Sequence, residues 1–268
     1  MKTYAEILLT AIKRVRAHRR DLSGLCFMFS APFLYFLGVK RIRSPVGQLD
    51  VNDKETLRSF AYGFFKTHFF YKNSLRTLSG KSRFLVVVDV GANIGDFTLG
   101  MANVAEKIVA VEPGKENFRA LEANLEINNV CNVVPVNAAA NEKEEDLFLQ
   151  GNASDMFVAD EKRGQPVKGM PLDQILQTYG IGTVDVLKVD VQGHEMSVLL
   201  GMHQLLLKKA VKLLIIEAHL KRGVRIEDVV QFMDGYGYQL AHSDDYLFDQ
   251  PHLYFVPDLA SVQSSGFV

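Results

Sequence analysis

The stretch Val86-Val87-Val88-Asp89-Val90-Gly91-Ala92-Asn93-Ile94-Gly95-Asp96, followed by Ile108-Val109-Ala110-Val111-Glu112-Pro113, constrains this chain more than any other. An apolar run that ends in glycine and leads into helix-like sequence suits a parallel strand covered on both faces. Gly91 and Gly95 let the backbone turn sharply and approach a ligand with no Cβ in the way. Glu112 stands at the carboxyl end of the next strand, where a carboxylate can accept hydrogen bonds from two ribose hydroxyls. The order strand, glycine turn, helix, strand, acid predicts a site for an adenosine-containing cofactor.

What the turn lacks narrows the cofactor. A dinucleotide asks for Gly-x-Gly-x-x-Gly, and Asn93 and Asp96 stand at the second and third glycine positions. Carboxylates at Asp89 and Asp96 would repel a pyrophosphate. S-adenosyl-L-methionine has no phosphate; it carries a sulfonium and an amino acid tail. Asp89, Gly91, Ala92, Asn93 and Gly95 are therefore candidates for the tail, and Glu112 with Pro113 for the ribose. Asn137 and Ala138, at the end of the third strand, complete the cofactor set.

From Phe84 onward strand and helix alternate, with strands expected at about 84–90, 107–112, 132–136, 184–189 and 211–217. Helices are expected at Phe97–Val104, Glu116–Ile127, Leu172–Tyr179, Glu195–Leu207 and Ile226–Met233. Residues 145–170 interrupt the rhythm, with β-like pieces at Asp146–Gln150 and Met156–Ala159 that suit a hairpin near a substrate mouth. Tyr238–His242 and His252–Val256, joined by the acidic loop Ser243–Asp249, should pair antiparallel.

Residues 1–80 read as a helical, aromatic-rich extension, 81–260 as the cofactor-binding domain and 261–268 as a tail. Phe60, Tyr62, Phe64, Phe65, Phe69, Phe70 and Tyr71 give the extension an apolar packing surface. Arg41–Val51 suits a small β element turning at Pro45-Val46-Gly47. Ser79-Gly80-Lys81-Ser82 resembles the tail of a phosphate-binding loop. Position 75 is leucine where that loop needs glycine, so the segment reads as a linker.

The net charge of −1 gives no general attraction to nucleic acid. Cys26 and Cys131 have neither disulfide nor zinc spacing, which fits a reducing, cytoplasmic setting. Lys13, Arg14, Arg16, Arg19 and Arg20 precede a largely apolar run from Leu25 to Val39. That run is short for a membrane span, which needs roughly 20 residues. It is read as a helix packed on the main domain, with peripheral membrane contact as the second reading.

Ligands of an open parallel sheet bind outside the carboxyl ends of its strands. The fourth strand ends at Asp190, followed by His194 and Glu195, and the fifth at Glu217, followed by His219. Polar groups from five strand ends thus converge on one edge.

Asp89-Val90-Gly91-Ala92-Asn93-Ile94-Gly95 resembles motif I of the FkbM family of S-adenosylmethionine-dependent methyltransferases. Leu187-Lys188-Val189-Asp190-Val191-Gln192-Gly193-His194-Glu195 is similar to that family's Lys-(Ile/Val)-Asp-(Ile/Val)-Glu-Gly-x-Glu segment, with Gln192 where the family often has glutamate. Pro171-Leu172-Asp173 and Ile215-Ile216-Glu217-Ala218-His219 resemble two further motifs, and the likeness runs from Phe84 to Val256. The resemblance implies an α/β, Rossmann-like class I methyltransferase fold: a seven-stranded sheet of order 3-2-1-4-5-7-6 with strand 7 antiparallel, plus the N-terminal extension. It also implies methylation of a hydroxyl on a polyketide or sugar.

A hydroxyl is a weak nucleophile, so a base within hydrogen-bond reach helps. The catalytic candidates are Asp190, His194, Glu217 and His219: His219 or Asp190 takes the substrate proton, and Glu217 orients the histidine or the substrate. Glu195 reads as a first-turn acid that favours the helix dipole. The same Asp190, His194, Glu217 and His219 set offers donors for a divalent ion, but the spacing is not diagnostic and no metal is assigned. The expected partner is a small-molecule or glycan hydroxyl. The alternative is a non-catalytic module that binds the cofactor.

Overall fold

The computed structural model describes residues 41–44, 47–50, Leu75, Ser79, 82–151, 155–159, 163–244 and 250–261. The basic cluster, the apolar run, the aromatic segment and most of the acidic loop fall outside the described residues. Strands β1 (Arg41–Ser44) and β2 (Gly47–Asp50) form an antiparallel hairpin. Gln48 and Asn128 bind each other twice: the Gln48 N–H donates to Asn128 Oδ1 (2.6 Å), and Asn128 Nδ2 donates to the Gln48 carbonyl (2.7 Å).

The main sheet is built from β3 (Phe84–Val90), β4 (Ala105–Val111) and β5 (Val133–Val136) on one side. On the other stand β10 (Val184–Val189), β11 (Val211–Glu217), β12 (Gln239–Asp244) and β13 (His252–Val256). Their order is β5-β4-β3-β10-β11-β13-β12, with β13 antiparallel to both neighbours. Counted within the sheet this is 3-2-1-4-5-7-6, as expected. The order reverses between β3 and β10, and that is where an open α/β sheet holds its ligand.

The strands are buried on both faces, yet toward the carboxyl ends of the parallel strands only one face carries charge. On that face Val87, Val186, Leu213, Ile215, Tyr254 and Val256 form an apolar layer, closed by Phe97 and by Leu75 from the extension. The next positions along the same face are Asp89, Lys188, Glu217 and His252, all buried. Period-two alternation puts them in line. Pairing register makes Asp89 and Lys188 direct neighbours, and likewise Glu217 and His252. The opposite face stays apolar to the strand ends, with Val90, Val111, Val189 and Ile216 in the larger core.

Helices α1 (Asp96–Ala102) and α2 (Lys115–Ile127) follow β3 and β4. The interruption after β5 is a sheet of four strands, β6 (Ala139–Ala140), β7 (Glu145–Gln150), β8 (Phe157–Ala159) and β9 (Gln165–Met170), in the order β6-β9-β7-β8. The expected hairpin is β7–β8; β9 was not expected. Its Pro166 and Gly169 read as loop residues. Pro166 is tolerated because β6 pairs only with the last two residues of β9, which leaves an edge beside the proline.

Helix α3 (Leu172–Thr178) leads to β10. The single helix expected over Glu195–Leu207 is two, α4 (Glu195–Leu200) and α5 (His203–Leu207). Gly201 lies so close to the Asn141 backbone that a Cβ would stand 1.9 Å from its carbonyl oxygen. Asp173 then starts α5 afresh, its carboxylate accepting from the N–H groups of Gln204 (2.7 Å) and Leu205 (3.1 Å). Helix α6 (Ile226–Gly235) packs before β12. No helix among the described residues is long and apolar enough to cross a membrane.

Candidate functional site

The turn after β3 is pinned to the end of β4. The N–H groups of Gly91 and Ala92 both donate to the Val111 carbonyl, at 2.9 and 3.0 Å. Gly91 (φ +81°) and Asn93 (φ +51°) both occupy the left-handed region. This aims the Asn93 N–H at Glu112 Oε2 (2.8 Å), while the Gly114 N–H donates to Oε1 (2.8 Å) and Asn117 Nδ2 approaches the same oxygen (3.5 Å). Burial pushes the Glu112 carboxyl up to about 7; the three donors oppose the rise and the charge of Asp89 adds to it. Asn93 Oδ1 is buried with no hydrogen-bond partner. Met156, arriving just before β8, closes over Gly114 and Asn117.

Across the reversal point, Lys188 bridges two acids: its Nζ lies 3.3 Å from Asp89 Oδ1 and 3.4 Å from Asp190 Oδ2. Thr98 donates to the other oxygen of Asp89 (2.6 Å). His219, 1% exposed, sits 2.6 Å through Nδ1 from Oε1 of the fully buried Glu195. Its Nε2 faces Asp190 Oδ1 at 3.6 Å and Glu217 Oε1 at 3.9 Å. The far oxygen of Glu217 lies 3.3 Å from His252 Nε2. Burial lowers the His219 pKa, but Glu195, Glu217 and Asp190 outweigh it and the net direction is upward.

The two halves touch at one point. A Cβ on Gly91 would stand 1.8 Å from the carbonyl oxygen of Asp190, so the glycine turn lies directly on the residue that opens the second half.

Gly91, Ala92, Asn93 and Glu112 come together at the reversal point. Asp89 lies behind them, its oxygens held by Thr98 and Lys188. Gly95 starts α1 and packs on Leu121. Asn137 Nδ2 grips the carbonyls of Glu112 (2.8 Å) and Pro113 (3.2 Å), and the Ala138 side chain is in the core. Asp190, Glu217 and His219 converge. His194 does not join them: its Nε2 lies 2.9 Å from Asn141 Oδ1, and burial lowers its pKa.

Glu195, Lys188 and His252 are members of the site that sequence reasoning did not place there. Glu195 reads as a helix-dipole acid because its distance from His219 in sequence hides the contact. For Lys188 and His252 the signal was available: charged residues at alternate positions of fully buried strands need partners.

The sequence profile described as Methyltransferase FkbM domain matches residues 89–240, more than half the chain. The chain belongs to the FkbM methyltransferase family. This FkbM protein is 26% identical over 151 residues to the hexuronic acid methyltransferase AglP of Haloferax volcanii, covering 55% of this chain and 61% of that one. It is 28% identical over 211 residues to the AMB antimetabolite synthetase AmbE of Pseudomonas aeruginosa, covering 61% of this chain and 10% of AmbE. The chain thus spans less than two thirds of either relative's length. Among solved structures, fibrillarin of Aeropyrum pernix with natively bound S-adenosyl-L-methionine is 13% identical at a TM-score of 0.44, covering 67% of this chain and 69% of that one.

S-adenosyl-L-methionine is the cofactor that goes with this family, and the residues present fit it. Asn93 Oδ1 is a buried acceptor without a donor, and beside it the Glu112 carboxylate stands just past the carboxyl end of β4.

Proposed function

We propose that this protein transfers a methyl group from S-adenosyl-L-methionine to a hydroxyl of a sugar, glycan or small secondary metabolite. When bound, the cofactor supplies an electrophilic methyl on a sulfonium. Glu112 holds the ribose, and the Gly91–Asn93 turn holds the amino acid tail. The observation that carries the reading is the contact between the Gly91 turn and Asp190, which sets the two halves side by side on one sheet edge. The Asp190–Glu217–His219 cluster receives the acceptor hydroxyl, and orientation at such short range supplies much of the rate.

The sugar reading draws support from AglP, whose name gives a hexuronic acid as its substrate. Arg222 adds a chemical reason. Its guanidinium is exposed, stacks 4.0 Å over the Phe157 ring of the four-stranded sheet, and backs onto Gly193 after β10. A cation at this rim matches the carboxylate of an acidic sugar.

Calorimetry with S-adenosyl-L-methionine and with its demethylated product tests the cofactor half; binding of both is expected, and binding of neither would sink the enzyme reading. Transfer of labelled methyl to uronic acid glycosides and neutral sugars tests the acceptor. Cofactor binding without transfer to any hydroxyl acceptor would favour the non-catalytic module. Changing His219 to alanine should cut turnover at least about 100-fold and leave cofactor affinity in place.

A further inference from the structure

We propose that Asp190, Glu217 and His219 bind one divalent cation, and that this cation receives the oxygen of the acceptor hydroxyl. The inference rests on the acceptor reading given above, and it begins with how each of the three side chains is held. Every one is gripped at its far atom by a different residue: Asp190 Oδ2 by Lys188 (3.4 Å), Glu217 Oε2 by His252 (3.3 Å), and His219 Nδ1 by Glu195 (2.6 Å). His219 Nε2 then faces Asp190 Oδ1 and Glu217 Oε1, and one donor atom from each of the three residues lies within 4.8 Å of the other two. Outer partners that fix ligand orientation, with a carboxylate on the far nitrogen of a histidine, are the usual support of a protein metal site.

His219 Nε2 supplies a second, independent observation. The ring is 1% exposed, and Nε2 has no hydrogen-bond partner although it points between two carboxylate oxygens. A proton there would draw one of them to about 2.7–2.9 Å as a charge-assisted bond. The observed separations are 3.6 and 3.9 Å, too long for a shared proton. They are closer to the spacing set by an ion: donors about 2.1 Å from a cation lie about 3.0–3.4 Å apart in octahedral or tetrahedral arrangements.

Charge points the same way. Among the described residues, Asp89, Asp190, Glu195 and Glu217 gather here, with Lys188 bridging Asp89 and Asp190. A divalent cation is the kind of group that such a concentration of acids attracts. Two oxygens and one imidazole suit a first-row divalent ion such as Mn2+ or Zn2+. Three protein donors leave positions for oxygens of the acceptor, and Asp190 is the most open of the three, its side chain 17% exposed.

The test uses the full chain, stripped with a chelator and titrated with Mn2+ by calorimetry and electron paramagnetic resonance. One Mn2+ per chain is expected, with a nitrogen coupling to the electron spin from the His219 ring. Asp190→Asn, at the rim, should weaken Mn2+ at least about 10-fold while the melting temperature stays in place; His219→Gln should abolish the nitrogen coupling. Absence of saturable binding, or binding and nitrogen coupling unchanged in both variants, would overturn the proposal. If His219→Gln does not fold, Asp190→Asn decides alone. S-adenosyl-L-methionine binding measured on the same stripped protein separates the two readings: cofactor binding without a cation site defeats only this inference.

Discussion

The two halves of the site solve the same problem with different materials. On the β3–β4 side, backbone does most of the work: N–H groups of Asn93 and Gly114 meet a single carboxylate, Glu112. On the β10–β11 side, the contacts that join Lys188, Asp190, Glu217, His219 and His252 are between ionisable side chains. The first half holds one acid whose charged form is disfavoured by burial. The second accumulates charge and must offset it with Lys188, with histidines, and with the proposed cation. A rigid, weakly charged cradle suits a cofactor that always has the same shape. A charged cluster suits the place where a hydroxyl must be made reactive.

Gly91 is where the comparison can be broken outright. Gly91→Ala puts a Cβ in the left-handed region and 1.8 Å from the Asp190 carbonyl, so β3 and β10 must separate at their ends. Strain of about 1–2 kcal/mol adds to overpacking of about 1–3 kcal/mol. Denaturant titration should show a loss of about 2–5 kcal/mol on those figures. Calorimetry should show both cofactor and Mn2+ binding lost together. Loss of one without the other would mean that the two halves are not coupled through this contact.

Glu195 separates the halves instead. Glu195→Ala leaves the Nδ1 of a buried histidine without its acceptor and should cost about 1–3 kcal/mol. Glu195→Gln keeps an acceptor of the same shape but removes the charge. It should retain most of the stability, weaken Mn2+ about 10–100-fold, and leave cofactor affinity within a factor of about 2. An equal fall in cofactor affinity would show that Glu195 supports the whole edge rather than the acceptor half.

This division also governs what could be read in advance. The β3–β4 half is legible because turn chemistry is local: glycines, an asparagine that tolerates positive φ, and an acid at the next strand end lie close together in sequence. The strands follow from the alternation and their order from the family resemblance, and β3, β10, β11 and β13 begin and end where the apolar runs do. The acceptor half is only partly legible. Asp190, Glu217 and His219 stand at strand ends, which topology predicts. That Glu195 reaches His219, and that His194 turns instead to Asn141, depends on how α4 meets the sheet. The β9 strand was hidden because Pro166 and Gly169 speak for a loop, and only the local edge beside β6 makes the proline acceptable.

Glu112 gives the smallest and most specific effect, a dependence on pH confined to the cofactor half. Its folded pKa of about 7 lies above the ordinary value of 4.5, so the folded chain holds this proton more tightly than the unfolded chain. The stability it contributes is fully present below pH 4.5 and is lost as pH rises through about 7. At about 1.4 kcal/mol per pKa unit, the upper bound is about 3 kcal/mol. Ribose hydroxyls donate to the carboxylate and so favour its ionised form. Cofactor affinity should therefore fall as pH drops below about 7, steepening toward tenfold per unit for a single required deprotonation. Binding at pH 6 should release a proton, seen as a calorimetric heat that varies with the ionisation enthalpy of the buffer. Glu112→Gln should remove that proton release and weaken the cofactor by about 10-fold or more, with Mn2+ affinity unchanged. A pH dependence that survives in Glu112→Gln would assign it to the acceptor half, and the contrast between a near-neutral cradle and a charged cluster would no longer stand.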